Sequence, residues 1–217
     1  MHIKAVVWDL DGTLLNTLDD LMNSVNAALA MNGLPQHDKE AICRFVGNGV
    51  RKLIVRAVPQ GDENPLFPKV YDDFIAHYGE HSRDTTKPYD GIMELLDTLR
   101  AQGVRHAIVS NKIDFAVKDL ARAYFPGRIE VALGDDPSRA RKPDPQAVHE
   151  VMRMLGVKAE ETAYVGDSDV DVMTAHNAGA ICCAVSWGFR SEESLREAGA
   201  EHIAATPQEL YRILEAL

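Results

Sequence analysis

Short, nearly unbroken apolar runs recur along the chain, each closed by polar or glycine-containing residues. Ile3 to Trp8 is the first and stops at Asp9. Arg105 to Ser110, Ile129 to Leu133, Thr162 to Gly166 and Ile181 to Val185 follow. Continuous rather than alternating apolar character is the pattern of a strand buried on both faces, as in a parallel sheet covered by helices. Helical spacing fills most of the intervals, so the pattern predicts an α/β sheet with right-handed crossovers.

The interval between Asp9 and Arg105 is far longer than a crossover needs and reads mostly as helix. Thr17 is placed to cap a helix in which Leu18, Leu21, Met22, Val25, Ala28 and Leu29 form an i, i+3, i+4, i+7 stripe, with Asp20 three residues in, as in a capping box, and Gly33 as its stop. Further helical patterns cover residues 39–45, 50–57 and 67–78, the last with Pro68 in its first turn. A helical insertion after the first strand accounts for them, with a polar return linker from His81 to Asp90 ahead of a core helix over 91–102. The expected division is a core of residues 1–16 and 83–217 and a helical insert of 17–82.

Composition narrows the class. With 217 residues, 46% hydrophobic, the chain can build one large or two small domains with a real core. Lys and Arg number 23 against 33 Asp and Glu, a formal charge of −10, so neither nucleic acid nor an anionic membrane is an expected partner. The apolar opening meets Asp9 and Asp11 before a signal-peptide core could form, and no run approaches the ~18 apolar residues of a membrane span. The 3 cysteines, Cys43 and the adjacent Cys182 and Cys183, make neither a disulfide framework nor a zinc-ligand pattern. A soluble, cytoplasmic protein is expected.

In an open parallel sheet, ligands bind beyond the carboxyl ends of the strands, so polar clusters there carry most weight. Four such clusters hold reactive groups. Asp9-Leu10-Asp11-Gly12-Thr13 places two carboxylates ahead of a turn glycine, though an Asp-x-Asp pair read alone is as readily a solvated turn. Ser110-Asn111-Lys112 follows the second run, where a serine or asparagine is more often a helix cap. Lys142-Pro143 lies in a basic stretch with Arg139 and Arg141. Gly166-Asp167-Ser168-Asp169-Val170-Asp171 could equally be an acidic helix N-terminus. Together they supply a nucleophile, an acid/base, a hydroxyl, a fixed cation and metal-binding carboxylates. Oxygen ligands without clustered His or Cys favour a hard cation, Mg²⁺ above all.

Taken in order and at these separations, Asp9-Leu10-Asp11-Gly12-Thr13, Ser110, Lys142-Pro143 and Gly166-Asp167-Ser168 with Asp171 resemble the four motifs of the haloacid dehalogenase superfamily, in its phosphatase branch with a small helical cap. The resemblance implies a three-layered, Rossmann-like α/β core with a parallel sheet in the order 5-4-1-2-3 and an α-helical cap inserted after the first motif. It implies Asp9 as the nucleophile that forms an aspartyl phosphate and Asp11 as acid and base, its carbonyl also on Mg²⁺. Ser110, Asn111, Gly12 and Thr13 are implied to bind the phosphoryl group, and Lys142 to neutralise charge. The implied metal residues are Asp9, Asp11, Asp167 and Asp171.

Substrate choice is expected in the insert, where Val46-Gly47-Asn48-Gly49-Val50-Arg51 stands out. A tight turn between helices explains the glycines equally well. The Gly47-Asn48-Gly49 segment, with Val109 to Lys112 and Ser186 to Phe189, is similar to the loops of phosphoglycolate phosphatases. The implied partner is therefore a small phosphorylated metabolite, 2-phosphoglycolate first, with Gly47, Asn48, Gly49 and Arg51 as contacts. A β-phosphoglucomutase-like mutase and a phosphatase for a sugar phosphate, nucleotide or pyrophosphate are the near alternatives. A phospho-accepting receiver module is a remote one, since the runs ending at Ser110 and Leu133 present no acceptor Asp.

Overall fold

The structure is a computed structural model that describes residues 2–217; Met1, counted in the expected core, lies outside the described residues. In chain order its elements are β1 (Ala5–Trp8), β2 (Leu15–Asn16), α1 (Leu18–Met31), α2 (Lys39–Phe45), α3 (Val50–Ala57), α4 (Phe67–His81), β3 (Lys87–Pro88) and α5 (Ile92–Ala101). Then come β4 (Arg105–Ile113), α6 (Asp114–Tyr124), β5 (Val131–Asp135), α7 (Gln146–Leu155), β6 (Thr162–Gly166), α8 (Asp169–Ala178), β7 (Ile181–Val185), α9 (Glu192–Glu197), β8 (His202–Ala204) and α10 (Pro207–Ala216). The chain divides into two compact units, residues 1–15 with 88–217, and residues 16–87.

The larger unit is built on one sheet in the order β5-β4-β1-β6-β7-β8, every neighbouring pair parallel. Read from β7 to β5 this contains the anticipated 5-4-1-2-3, and it departs from it by one further strand at the edge. β8 escapes sequence reading because it has three residues, of which only Ala204 is buried. The unbroken apolar run of β1 follows from its place at the centre. Val6 and Trp8 pack on one side with Ile92, Leu96, Leu120 and Leu210, from α5, α6 and α10. Ala5 and Val7 pack on the other with Val148, Val151 and Val172, from α7 and α8.

β4 runs three residues past the apolar stretch. Val109 pairs with Leu133, and the next paired residue, Ile113, meets Asp135, so four steps along β4 oppose two along β5. Ser110, Asn111 and Lys112 therefore lie in a bulge of the strand rather than in a helix cap. The partner strand accommodates it with Gly134, where a Cβ would lie 2.4 Å from the Asp114 Cα and 2.6 Å from the Lys112 carbonyl oxygen.

The smaller unit holds α1 to α4, whose inward side chains include Val25, Leu29, Ile42, Ile54, Val70 and Phe74. Its limits differ slightly from the sequence division, because Asn16 and residues 83–87 stay with it. Asp20, buried in α1, accepts hydrogen bonds from the backbone N–H groups of Thr85 and Thr86, both at 2.9 Å, and from the Thr85 hydroxyl. Asp20 is thereby used across the unit instead of in a capping box, and Thr17 sits at the N-cap of α1 without a side-chain cap bond.

Candidate active site

Strand register assembles the site. Trp8 pairs with Ile108 of β4 and with Val165 of β6, so Asp9, Ser110 and Asp167 all emerge beyond the same carboxyl edge. The Asp9 N–H continues the ladder with a 2.8 Å bond to the Val165 carbonyl, which fixes the backbone from which its side chain projects. Lys142 enters from the loop after β5. Its Nζ lies 2.7 Å from Asp171 Oδ1, 3.0 Å from the Tyr164 hydroxyl and 2.9 Å from Asp9 Oδ1. The last approach is an ion contact without hydrogen-bond alignment, and Asp9 Oδ1 is left buried with no aligned donor.

Three buried carboxylates, Asp9, Asp167 and Asp171, bring ligand oxygens within 4.8 Å of one another. Burial, reinforced by Asp171 and only partly offset by Lys142, pushes the Asp9 carboxyl up to about 7. Burial and the charges of Asp171 and Asp9 hold Asp167 well above the ordinary carboxylate range. Lys142 shows the reverse balance: burial alone would lower it, but Asp171 and Asp9 keep the ammonium well above its usual value. A cluster with this excess of negative charge, an unaligned oxygen on Asp9 and an all-oxygen donor set fits a hard divalent cation.

The surrounding residues hold these groups in place. Asp171 Oδ1 takes Lys142 and Tyr164, while its Oδ2 takes the Ser168 N–H at 3.1 Å and the Ser168 hydroxyl at 2.5 Å, closing a capping box on α8. Asp167 receives the Phe189 N–H at 2.6 Å and the Thr13 hydroxyl at 3.3 Å. Gly12, at φ 83°, lets the first loop pass Asp167; a Cβ there would sit 2.3 Å from Asp167 Oδ2. Trp187 donates its indole N–H to the Thr13 carbonyl at 3.0 Å, a packing and anchoring role.

Asn111 and Lys112 diverge from the bulge. The Asn111 side chain binds the backbone of Lys142 twice, accepting from its N–H at 2.9 Å and donating to its carbonyl at 3.2 Å. Lys112 Nζ meets both oxygens of Asp11, at 2.9 and 3.3 Å. The Ser110 hydroxyl accepts from the Lys112 N–H at 3.3 Å.

The structure thus brings together Asp9, Asp11, Gly12, Thr13, Ser110, Asn111, Lys142, Asp167 and Asp171 on the larger unit. Of the residues expected to bind the phosphoryl group, three have their side chains on protein partners, Thr13 on Asp167, Asn111 on the Lys142 backbone and Ser110 on the Lys112 N–H. Gly47, Asn48, Gly49 and Arg51 belong to the smaller unit. There Arg51 pairs with Asp62 at 3.1 Å and lies 5.0 Å from the Phe67 ring centre, while Arg56 holds the turn by donating to Asn48 Oδ1 at 2.7 Å and to the Phe45 carbonyl at 2.6 Å. Arg56, Tyr164 and Ser168 have supporting roles that residue type does not announce. The basic stretch is neutralised locally, Arg139 by Asp114 and Arg141 by Asp135. Burial pushes the Cys182 thiol up to about 12 and raises Cys183 as well, so both remain small apolar fillers.

The profile of the haloacid dehalogenase-like hydrolase family matches residues 6–185. A phosphoglycolate phosphatase of Chromobacterium violaceum is 33% identical, the match covering 99% of this chain and 97% of that protein. An N-acetylmuramic acid 6-phosphate phosphatase of Pseudomonas aeruginosa is 31% identical, over 99% and 96% respectively. Among solved structures, that of a candidate phosphoglycolate phosphatase from Lactobacillus delbrueckii subsp. bulgaricus superposes with a TM-score of 0.94 at 33% identity, covering 99% of each chain.

Proposed function

The chain belongs to the haloacid dehalogenase-like hydrolase family, and from that premise we propose that it is a Mg²⁺-dependent phosphomonoesterase working through an aspartyl phosphate, with 2-phosphoglycolate as the favoured substrate. The observation that carries the reading is the buried cluster of Asp9, Asp167 and Asp171, in which Asp9 and Asp171 both meet the ammonium of Lys142, with Asp11 two residues from Asp9.

Asp9 attacks phosphorus through a carboxylate oxygen as the bond to the leaving oxygen breaks, and Asp11 gives that oxygen its proton. Water then attacks the phosphorus of the aspartyl phosphate. Asp11 takes the water's proton, Asp9 departs as carboxylate and inorganic phosphate is released. Lys142, held by Asp171 and Tyr164, keeps a positive charge against Asp9 and the transferred group throughout. Ser110 and the amides near Gly12 orient the phosphoryl oxygens. Asp9, Asp167 and the Asp11 carbonyl would hold Mg²⁺, whereas both Asp171 oxygens are already engaged twice over, which suits Asp171 to positioning Lys142. When bound, Mg²⁺ supplies charge neutralisation and orientation to the phosphoryl group.

Support for 2-phosphoglycolate comes from the names of the relatives and from a polar turn at Gly47-Asn48-Gly49 that Arg56 keeps in shape. Arg51 could exchange its exposed partner Asp62 for a substrate carboxylate at little cost, since such surface pairs are worth about 0–1 kcal/mol. Phosphate release measured across 2-phosphoglycolate, N-acetylmuramic acid 6-phosphate, hexose phosphates, nucleoside monophosphates and pyrophosphate tests the substrate. The highest kcat/KM on 2-phosphoglycolate is expected; a flat profile or a preference for a phosphosugar overturns that choice. Asp9→Asn abolishes turnover on every substrate if Asp9 is the nucleophile, and near-normal turnover by that variant refutes the mechanism.

A further inference from the structure

Each of the two working carboxylates at the tip of β1 has an ammonium against it. Lys142 serves Asp9, and Lys112, from the bulge of β4, serves Asp11. The second pair is closely built. Lys112 Nζ approaches both Asp11 oxygens, at 2.9 and 3.3 Å, and its side chain is only 4% exposed, against 14% for that of Asp11. The Lys112 N–H is anchored on the Ser110 hydroxyl, and its carbonyl oxygen lies where Gly134 leaves room for it. The backbone of Lys112 is therefore held on both sides, and its buried side chain carries the ammonium to a fixed place against Asp11.

We propose that Lys112 is a positioning residue for proton delivery: it holds the Asp11 carboxyl in the orientation from which one oxygen reaches the leaving group. This rests on the phosphatase reading above. An unrestrained aspartate samples several χ1 and χ2 rotamers, and only the one aimed at the leaving oxygen transfers a proton as the P–O bond breaks and the Asp9–phosphorus bond forms. Contact with both oxygens selects a single orientation and takes from Asp11 the cost of finding it. The role differs from that of Lys142, whose charge meets Asp9 itself.

The distinguishing measurement is the dependence on leaving group. Proton delivery matters most for an alkyl ester, whose leaving oxygen is strongly basic, and little for p-nitrophenyl phosphate, whose leaving group departs as a stable anion. In kcat/KM, which stops at formation of the phosphoenzyme, Lys112→Met is expected to lose about 10- to 100-fold on the alkyl ester, within the range for one positioned acid, and severalfold less on the aryl ester. Lys112→Arg should recover most of the loss, and in an Asp11→Asn background Lys112→Met should cost little more. If Lys112→Met does not fold, Lys112→Gln is compared on the same two esters. Equal losses on both, or a common rise in KM, would mean that Lys112 touches the phosphoryl group directly, and they overturn the proposal while leaving the phosphatase reading intact. A wild-type protein inactive on both esters overturns the reading and the proposal together.

Discussion

Replacing Asn111 isolates the contribution of geometry from that of charge. Its side chain joins the N–H and the carbonyl of Lys142 in a buried setting, at 2.9 and 3.2 Å. Asn111→Leu keeps the volume but leaves both backbone groups without that partner. Each buried group so deprived costs about 1–3 kcal/mol, so a destabilisation of about 2–6 kcal/mol is expected, read as a lowered urea midpoint with unchanged m-value. The catalytic effect has a separate source. Lys142 Nζ is set against Asp9 by the path of its backbone, and a displacement on the order of 1 Å costs about 100-fold in rate. The loss should fall on kcat with KM little changed, because a phosphate-binding side chain would raise KM instead. Asn111→Asp sharpens the comparison, since it keeps an acceptor for the N–H but faces the carbonyl with a second acceptor; it should be no better than Leu. Wild-type kcat with a raised KM in Asn111→Leu would refute the positioning role, and wild-type stability would refute the energetic reasoning.

Three other outcomes are expected. Asp20→Ala should cost about 2–4 kcal/mol in denaturant unfolding, because three donors of Thr85 and Thr86 lose a charged acceptor; burial raises the Asp20 carboxyl, but those hydrogen bonds outweigh it and hold it below its ordinary value, so its stabilisation is present above about pH 4 and is lost as the pH falls further, whereas unchanged stability would remove this anchor. Burial pushes His106 down to about 4; the Trp8 indole N–H can only donate, so Nδ1 accepts it and Nε2–H donates to the Leu96 carbonyl. The unfolded chain then takes up this proton first, and stability should fall by about 3 kcal/mol between pH 6.5 and pH 4, a slope that His106→Gln should flatten and that parallel slopes would contradict. Mg²⁺ added to chelator-treated protein should raise Tm, by an amount equivalent to about 2.7 kcal/mol at a hundredfold excess over Kd, and Asp167→Asn should suppress the shift; an equal shift in that variant would take Asp167 out of the metal set.

The sheet was legible because β1 is buried on both faces and so could not hide its apolar run. Three of the four polar clusters were legible because strand register brings Asp9, Ser110 and Asp167 to one edge, whereas Lys142 comes in from the loop after β5. What was not legible depends on contacts between residues distant in sequence. Nothing in Asn111 alone says that it clasps a loop 31 residues away, and Asp20 looks like a capping residue until Thr85 and Thr86 arrive against it. Thr13 reads as a phosphate ligand from its place after Gly12, yet its hydroxyl is directed at Asp167. Tyr164 lies inside an apolar run, where a tyrosine is unremarkable, and only the approach of Lys142 gives its hydroxyl a purpose. The bulge in β4 has no compositional mark except Gly134, which stands on the neighbouring strand.

That bulge makes the tip of β4 far more sensitive to length than to composition. Asn111 and Lys112 are adjacent, yet one addresses the main chain at Lys142 and the other the side chain of Asp11. Deleting a single residue between Val109 and Asn111 would bring Lys112 to the place that faces the loop carrying Lys142, and inserting one there would bring Asn111 to the place that faces Asp11. A conservative replacement at either position weakens one contact; a change of one in the count misdirects both. Engineering of this edge can vary side chains one at a time, but the spacing from Val109 to Ile113 has to be kept.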